Sequence, residues 1–196
     1  RHTRSFHVTG VQTCALPISL IRTIPDWPEP GITFKDVTPM LANPQAMKSV
    51  VGAIAEFGEG VDVIAGIEAR GFILASAVAN QLHKGFIPIR KKGKLPYKTH
   101  SQDYGLEYGT GTLEIHIDAV VPGQNVLLID DVLATGGTLV GASKLIEKCG
   151  GVVKSVVVLL EIPRKPVRKR LVDPRRRLPE LPPCQCRPAL ARLLLL

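Results

Sequence analysis

The residues of this chain that could do chemistry fall in three short clusters. The densest runs from Asp130 to Thr138 and reads Asp130-Asp131-Val-Leu-Ala134-Thr135-Gly136-Gly137-Thr138. Two carboxylates precede a turn of small residues, and the turn opens a predicted helix. Backbone N–H groups at a helix N-terminus attract an anion, and Gly136 and Gly137 let it approach closely. Thr135 and Thr138 add hydroxyl donors. Adjacent carboxylates would repel a naked polyphosphate. They suit a vicinal diol beside a single phosphate, because a carboxylate accepts from hydroxyls. Ribose 5-phosphate has that shape. The competing reading of the aspartates is helix capping on a solvated turn.

The second cluster is Glu68-Ala69-Arg70-Gly71, and the third is the basic run Arg90, Lys91, Lys92 and Lys94. Cations gathered beside a phosphate site stabilise charge on a departing group. A run of this kind on a solvated loop would have no such role. No G-x-x-x-x-G-K-[ST] loop and no G-x-G-x-x-G fingerprint occurs, so neither a nucleoside triphosphate loop nor a dinucleotide fold is indicated. His83, His100 and His116 have no partner at ligand spacing and are read as structural or surface residues.

Alternating strands and helices must position these clusters. Asn43-Pro44 predicts a helix start, an N-cap followed by proline at the first helical position. Ala46, Met47, Val50, Val51, Ile54 and Phe57 form its apolar face, and the helix should stop near Gly58. Val61–Ile67 reads as a buried strand, Gly71–His83 as a helix and Phe86–Ile89 as a strand. Arg90–Asp103 is polar and basic and reads as a long loop, and Pro25 to Pro39 reads as a loop-rich opening. Leu113–Ile117 alternates, with Leu113, Ile115 and Ile117 facing inward and Glu114 and His116 outward. Val126–Ile129 is a strand, Gly137–Cys149 a helix and Val152–Leu160 a strand. The pattern predicts an α/β fold with a mostly parallel central sheet flanked by helices. Ligands in such sheets bind at the carboxyl ends of the strands, where all three clusters fall.

Charge and cysteine divide the chain into three parts. The net charge of +8 belongs to the ends. Residues 20–162 hold thirteen Lys/Arg and fifteen Asp/Glu, a net −2, which argues against a nucleic-acid partner for the middle. Only Cys149 lies there, so no disulfide framework is expected, and a reducing, cytoplasmic location follows. No apolar run approaches the roughly 20 residues that span a bilayer, so no membrane partner is expected. Residues 8–18, back-translated, resemble a short-read sequencing adapter. Residues 1–19 are therefore set apart as non-native, a targeting peptide being the weaker alternative. Residues 163–196 carry seven prolines and eight arginines, which exclude a long helix. They read as a frameshifted or disordered basic tail, with a nucleic-acid-touching tail as the alternative. The working domain is 20–162, lacking its C-terminal part.

The segment Leu127-Leu-Ile-Asp-Asp-Val-Leu-Ala-Thr-Gly-Gly-Thr138 resembles the 5-phosphoribosyl-1-pyrophosphate motif of the type I phosphoribosyltransferases. Four further stretches are similar to the adenine phosphoribosyltransferase family within them. These are Pro30-Gly-Ile-Thr-Phe-Lys-Asp-Val-Thr-Pro39, Gly66-Ile-Glu-Ala-Arg-Gly-Phe72, Ile89-Arg-Lys-Lys-Gly-Lys-Leu-Pro96 and Tyr104-Gly-Leu-Glu-Tyr-Gly109. The resemblance covers about residues 20–162. It implies a type I phosphoribosyltransferase fold with a flexible lid or hood. It implies formation of adenosine monophosphate and pyrophosphate from adenine and phosphoribosyl pyrophosphate, with Mg2+ carried mainly by that substrate and water and no metal held by the protein alone. Asp130 and Asp131 would hold the ribose hydroxyls, and Ala134 to Thr138 the 5-phosphate. Glu68, Ala69 and Arg70 would form the pyrophosphate loop, joined by Arg90, Lys91 and Lys94. Part of the basic run would reach a neighbouring subunit, implying a homodimer. Ile32, Thr33, Phe34 and Lys35 would meet adenine, unless Phe34 is a core residue. Glu107, between flanking glycines, would be delivered by the lid as a carboxylate that accepts a proton or stabilises developing positive charge; a solvent-facing glutamate is the alternative. Arg70 and Lys94 complete the expected catalytic set. Two other outcomes stay open: a xanthine or hypoxanthine phosphoribosyltransferase, and a regulator of the same fold that only binds phosphoribosyl pyrophosphate.

Overall fold

The computed structural model describes residues 17–105 and 110–162. Its centre is a six-stranded sheet. The strands are β3 (Val63–Ile67), β4 (Gly85–Lys91), β5 (Thr99–Gly105), β6 (Thr110–His116), β7 (Asn125–Leu133) and β8 (Val152–Glu161), in the order β5-β6-β4-β3-β7-β8. Of these, β3, β7 and β8 are built on apolar runs buried on both faces. The four strands β4-β3-β7-β8 are parallel, and the β5–β6 hairpin adds antiparallel to β4. Before them come a small antiparallel pair, β1 (Arg22–Ile24) and β2 (Phe34–Asp36), and a helical turn, α1 (Thr38–Leu41).

Three longer helices cover the sheet: α2 (Pro44–Ala55), α3 (Arg70–Gln81) and α4 (Gly137–Lys148). Alternation along the strands sorts the core into two layers. Ala65, Ile67, Ile89 and Leu128 pack with Leu145 and Ile146 of α4 on one face. Ile64, Leu127, Ile129 and Leu159 pack with Val50 and Ile54 of α2 and Leu74 and Val78 of α3 on the other. The start of α2 follows its sequence signal, since the Asn43 side chain accepts from the Ala46 N–H at 2.9 Å with Pro44 in the first turn. α3 lies close on β3 because Gly66 is bare. A Cβ there would come within 2.7 Å of the Ala75 Cβ.

The loop-rich opening from Pro25 to Pro39 also contains β2 and the start of α1. The structure corrects three expectations. Arg90–Asp103 is not one long loop: β4 continues through Lys91, and Thr99–Gly105 forms β5. That strand has no apolar face of its own and is held by the β6 backbone, with Thr99 opposite His116 and Gly105 opposite Thr110. Glu114, expected to face solvent, is 7% exposed, whereas Ile117 lies beyond the strand and is exposed. Asp130 and Asp131 do not follow their strand but lie inside it, because the long partner β8 extends the ladder to Leu133. Among the described residues no helix is long and apolar enough to cross a membrane. Glu107, most of the 1–19 segment and the 163–196 tail lie outside the described residues.

Candidate active site

The site is built at the carboxyl ends of β3, β4 and β7. Asp130 and Asp131 are buried at 8% and 6% exposure, so solvated capping does not account for them. The Asp131 N–H donates to Asp130 Oδ1 at 2.9 Å. Burial pushes the Asp130 carboxyl up to about 8, and the neighbouring charge of Asp131 adds to the rise. Burial also raises Asp131, against the pull of the Arg70 guanidinium. Arg70 Nε lies 2.7 Å from Asp131 Oδ2 as an ion pair, yet that buried oxygen receives no hydrogen bond. It is an acceptor still open to a donor. The close approach of α3 requires Gly71, where a Cβ would sit 2.9 Å from Asp130 Oδ1.

β7 then leads into the turn Ala134–Gly136. Gly136 is the N-cap of α4 at φ +80°, a left-handed conformation suited to glycine. Val132 to Gly136, Thr138 and Leu139 line an open pocket at this turn. The β5–β6 hairpin leans over it. A Cβ on Gly137 would run into the Gly105 carbonyl oxygen, and one on Gly141 would lie 3.1 Å from the Tyr104 Cβ. Burial raises the Tyr104 phenol, as does the Asp130 charge, while a hydrogen bond with the Thr138 side chain opposes the rise. Tyr104 was visible in sequence only as part of the lid segment; its seat on α4 needed the fold.

On the facing rim, Glu68 gathers the cations. Its Oε1 accepts from Lys94 Nζ at 2.9 Å and from Arg90 Nη2 at 3.2 Å, and its Oε2 accepts from the Lys91 N–H at 3.1 Å. Arg90 Nη1 also donates to the Lys94 carbonyl at 3.0 Å. Burial acts to raise the Glu68 carboxyl, but the hydrogen bonds from Lys94, Arg90 and Lys91 overcome it and bring the group down to about 2. No local pattern around Glu68 encodes this clamp, because its partners lie 22 to 26 residues further along the chain. The Glu68–Ala69 peptide is cis, and Ala69 is the exposed residue before α3.

The third wall comes from β2. The Arg70 guanidinium lies over the Phe34 ring at 5.3 Å, and Trp27 meets the same ring edge-on at 4.4 Å. Phe34 is half-buried and lies outside both core layers. Ile32 and Thr33 are exposed, while Lys35 Nζ donates to Thr23 Oγ1 at 2.8 Å and so is tied to β1. Arg70 thus joins the acidic end of the site to the aromatic end. Among the described residues no three His, Cys, Asp or Glu side chains gather around a common metal position.

The model of the phosphoribosyl transferase domain matches residues 40–175. An adenine phosphoribosyltransferase of Parvibaculum lavamentivorans is 56% identical over 153 residues, which cover 77% of this chain and 87% of the relative. The chain belongs to the adenine phosphoribosyltransferase family. Another family member, from Thermobifida fusca, is 52% identical over 155 residues, covering 78% of this chain and 88% of the relative. The crystal structure of the Thermoanaerobacter pseudethanolicus adenine phosphoribosyltransferase superimposes with a TM-score of 0.73 at 48% identity, covering 76% of this chain and 87% of that one. The Giardia lamblia enzyme, solved with 9-deazaadenine, has a TM-score of 0.71 at 42% identity, covering 76% and 85%. The mixed sheet flanked by helices is therefore that of a type I phosphoribosyltransferase.

Proposed function

We propose that this chain transfers the phosphoribosyl group of phosphoribosyl pyrophosphate to adenine, forming adenosine monophosphate and releasing pyrophosphate. The observation that carries the reading is the buried Asp130–Asp131 pair followed directly by the left-handed Gly136 turn into α4. The buried, unbonded Asp131 Oδ2 suits a ribose hydroxyl or a metal-bound water. The turn from Ala134 to Thr138 offers backbone N–H groups and hydroxyls to the 5-phosphate. With diol and phosphate held at adjacent positions, the anomeric carbon is directed between Phe34 and the Glu68 cluster. Arg70, Arg90, Lys91 and Lys94 line the side where the diphosphate departs, and fixed cations there favour the charge that develops on it. Ala69 belongs to the same loop. Phe34 supplies a face for the base, with Ile32 and Thr33 beside it; Lys35, bonded to Thr23, contributes through its backbone.

Asp130 and Asp131 are the residues that would accept from the waters of a Mg2+ ion carried on the substrate, and such an ion would supply neutralisation of the diphosphate charge; the buried Asp131 Oδ2 without a hydrogen bond fits that role. Glu107 is the carboxylate we assign to the attacking nitrogen or to the charge developing on the ribose. The reading includes a homodimer and a cytoplasmic location, the latter supported by the single buried thiol of Cys149 among the described residues. The reverse reaction tests the assignment. Adenosine monophosphate, pyrophosphate and Mg2+ should regenerate adenine, whereas guanosine and inosine monophosphates should yield little free base. Base release from those two in preference to adenine would overturn it.

A further inference from the structure

We infer that Glu114 is a positioning residue for the diphosphate end of the site, holding the Arg90–Lys94 turn in place from beneath; the inference rests on the reading above. Glu114 lies on β6. It stands directly opposite Arg90 on β4 and Ser101 on β5, so the three side chains share one rung and one face of the sheet. The apolar neighbours Leu113 and Ile115 point into the core, and an ordinary strand would leave Glu114 in water. Instead it is 7% exposed.

The carboxylate is spent on the turn. Its Oε2 accepts from the Gly93 N–H at 2.9 Å, and its Oε1 receives the Ser101 hydroxyl at 3.4 Å. Among the described residues Glu114 forms no ion pair. A buried carboxylate that forms no ion pair is costly, so a residue kept only for packing would be apolar. Gly93 is the tip of the turn, in a left-handed conformation at φ +80°, and it lies between Lys91 and Lys94. Two carboxylates therefore grip one turn. Glu68 holds its side chains and the Lys91 N–H from the substrate side, and Glu114 holds its tip from behind. Releasing the tip lets Lys94 and Arg90 drift from their common acceptor without touching the base or diol contacts.

Three variants of the full chain separate reach from charge. Glu114→Gln keeps an oxygen at the same distance from Gly93 and should keep KM for phosphoribosyl pyrophosphate within about threefold of the parent. Glu114→Asp keeps the charge but withdraws it by about one C–C bond, and Glu114→Ala removes it. Both should raise that KM by about tenfold, the scale of one hydrogen bond to a charged group, with KM for adenine within about twofold. If Glu114→Ala does not fold, the Gln–Asp pair decides. A parental KM in Glu114→Asp, or equal losses for both substrates, would overturn the inference. Calorimetric titration of pyrophosphate into parent and variants keeps the test independent of the reaction. Weaker pyrophosphate binding in Glu114→Asp supports the positioning role even if the parent proves inactive toward adenine, and unchanged binding overturns it.

Discussion

Arg70 touches both ends of the candidate site, pairing with Asp131 at 2.7 Å and lying 5.3 Å over Phe34. Each contact can be challenged singly. Asp131→Ala should weaken phosphoribosyl pyrophosphate binding by about 1.5–3 kcal/mol, the span for hydrogen bonds to a charged group; unchanged affinity in titration calorimetry would contradict the diol assignment. Glu107→Ala should lower turnover about 10²–10⁴-fold while that affinity moves far less, and parental turnover would remove Glu107 from the mechanism. The carboxylates also give a pH signature. Burial, with the Asp131 charge beside it, holds the Asp130 carboxyl well above the ordinary carboxylate range, and hydroxyl or water donors favour its ionised form. Binding should therefore lower its pKa and release part of a proton near pH 7. Calorimetry in two buffers of different ionisation enthalpy reads this, and buffer-independent heats would contradict it. Glu68 shifts the other way, from 4.5 to about 2. Its folded value lies below the unfolded one, so its stabilisation is present above about pH 4.5 and is lost as pH falls towards 2. Glu68→Gln should make the acid-side fall in melting temperature shallower.

At the scale of elements, sequence patterning located what apolar periodicity and capping encode. The Asn43–Pro44 start of α2, the buried run of β3 and the Gly136–Gly137 entry to α4 all fall where the residues indicated. It failed where an element exists only through a partner. β5 is a polar segment whose conformation is imposed by β6, and Glu114 is buried because the turn around Gly93 closes over it. The contact of Arg70 with Phe34 links residues far apart in sequence, and no local pattern encodes it. The seat of the β5–β6 hairpin on α4 depends on bare glycines. Gly137→Ala would drive a Cβ into the Gly105 carbonyl and should lower stability by about 1–3 kcal/mol. Gly52→Ala, inside α2 with open space around it, should instead raise stability by about 0.4–1 kcal/mol. Thermal or chemical denaturation of the two variants checks the opposite signs.

Across the whole molecule, the Asp130–Asp131 strand end, the α4 turn and the cationic rim fall at the carboxyl ends of neighbouring strands, with Phe34 joined to them through Arg70, and the family match spans residues 40–175. On the proposal that residues 1–19 are non-native, removing them should leave turnover unchanged. The central claim is transfer of a phosphoribosyl group to adenine. Its most direct measurement is the initial rate of nucleotide formation from phosphoribosyl pyrophosphate and Mg2+ with adenine, hypoxanthine, guanine and xanthine in turn. The account predicts adenosine monophosphate, with one pyrophosphate released per nucleotide and adenine the preferred base by at least about a hundredfold in kcat/KM, a discrimination available to a site that hydrogen-bonds its substrate. Faster turnover of an oxopurine, or binding of phosphoribosyl pyrophosphate with no nucleotide formed from adenine, would contradict it.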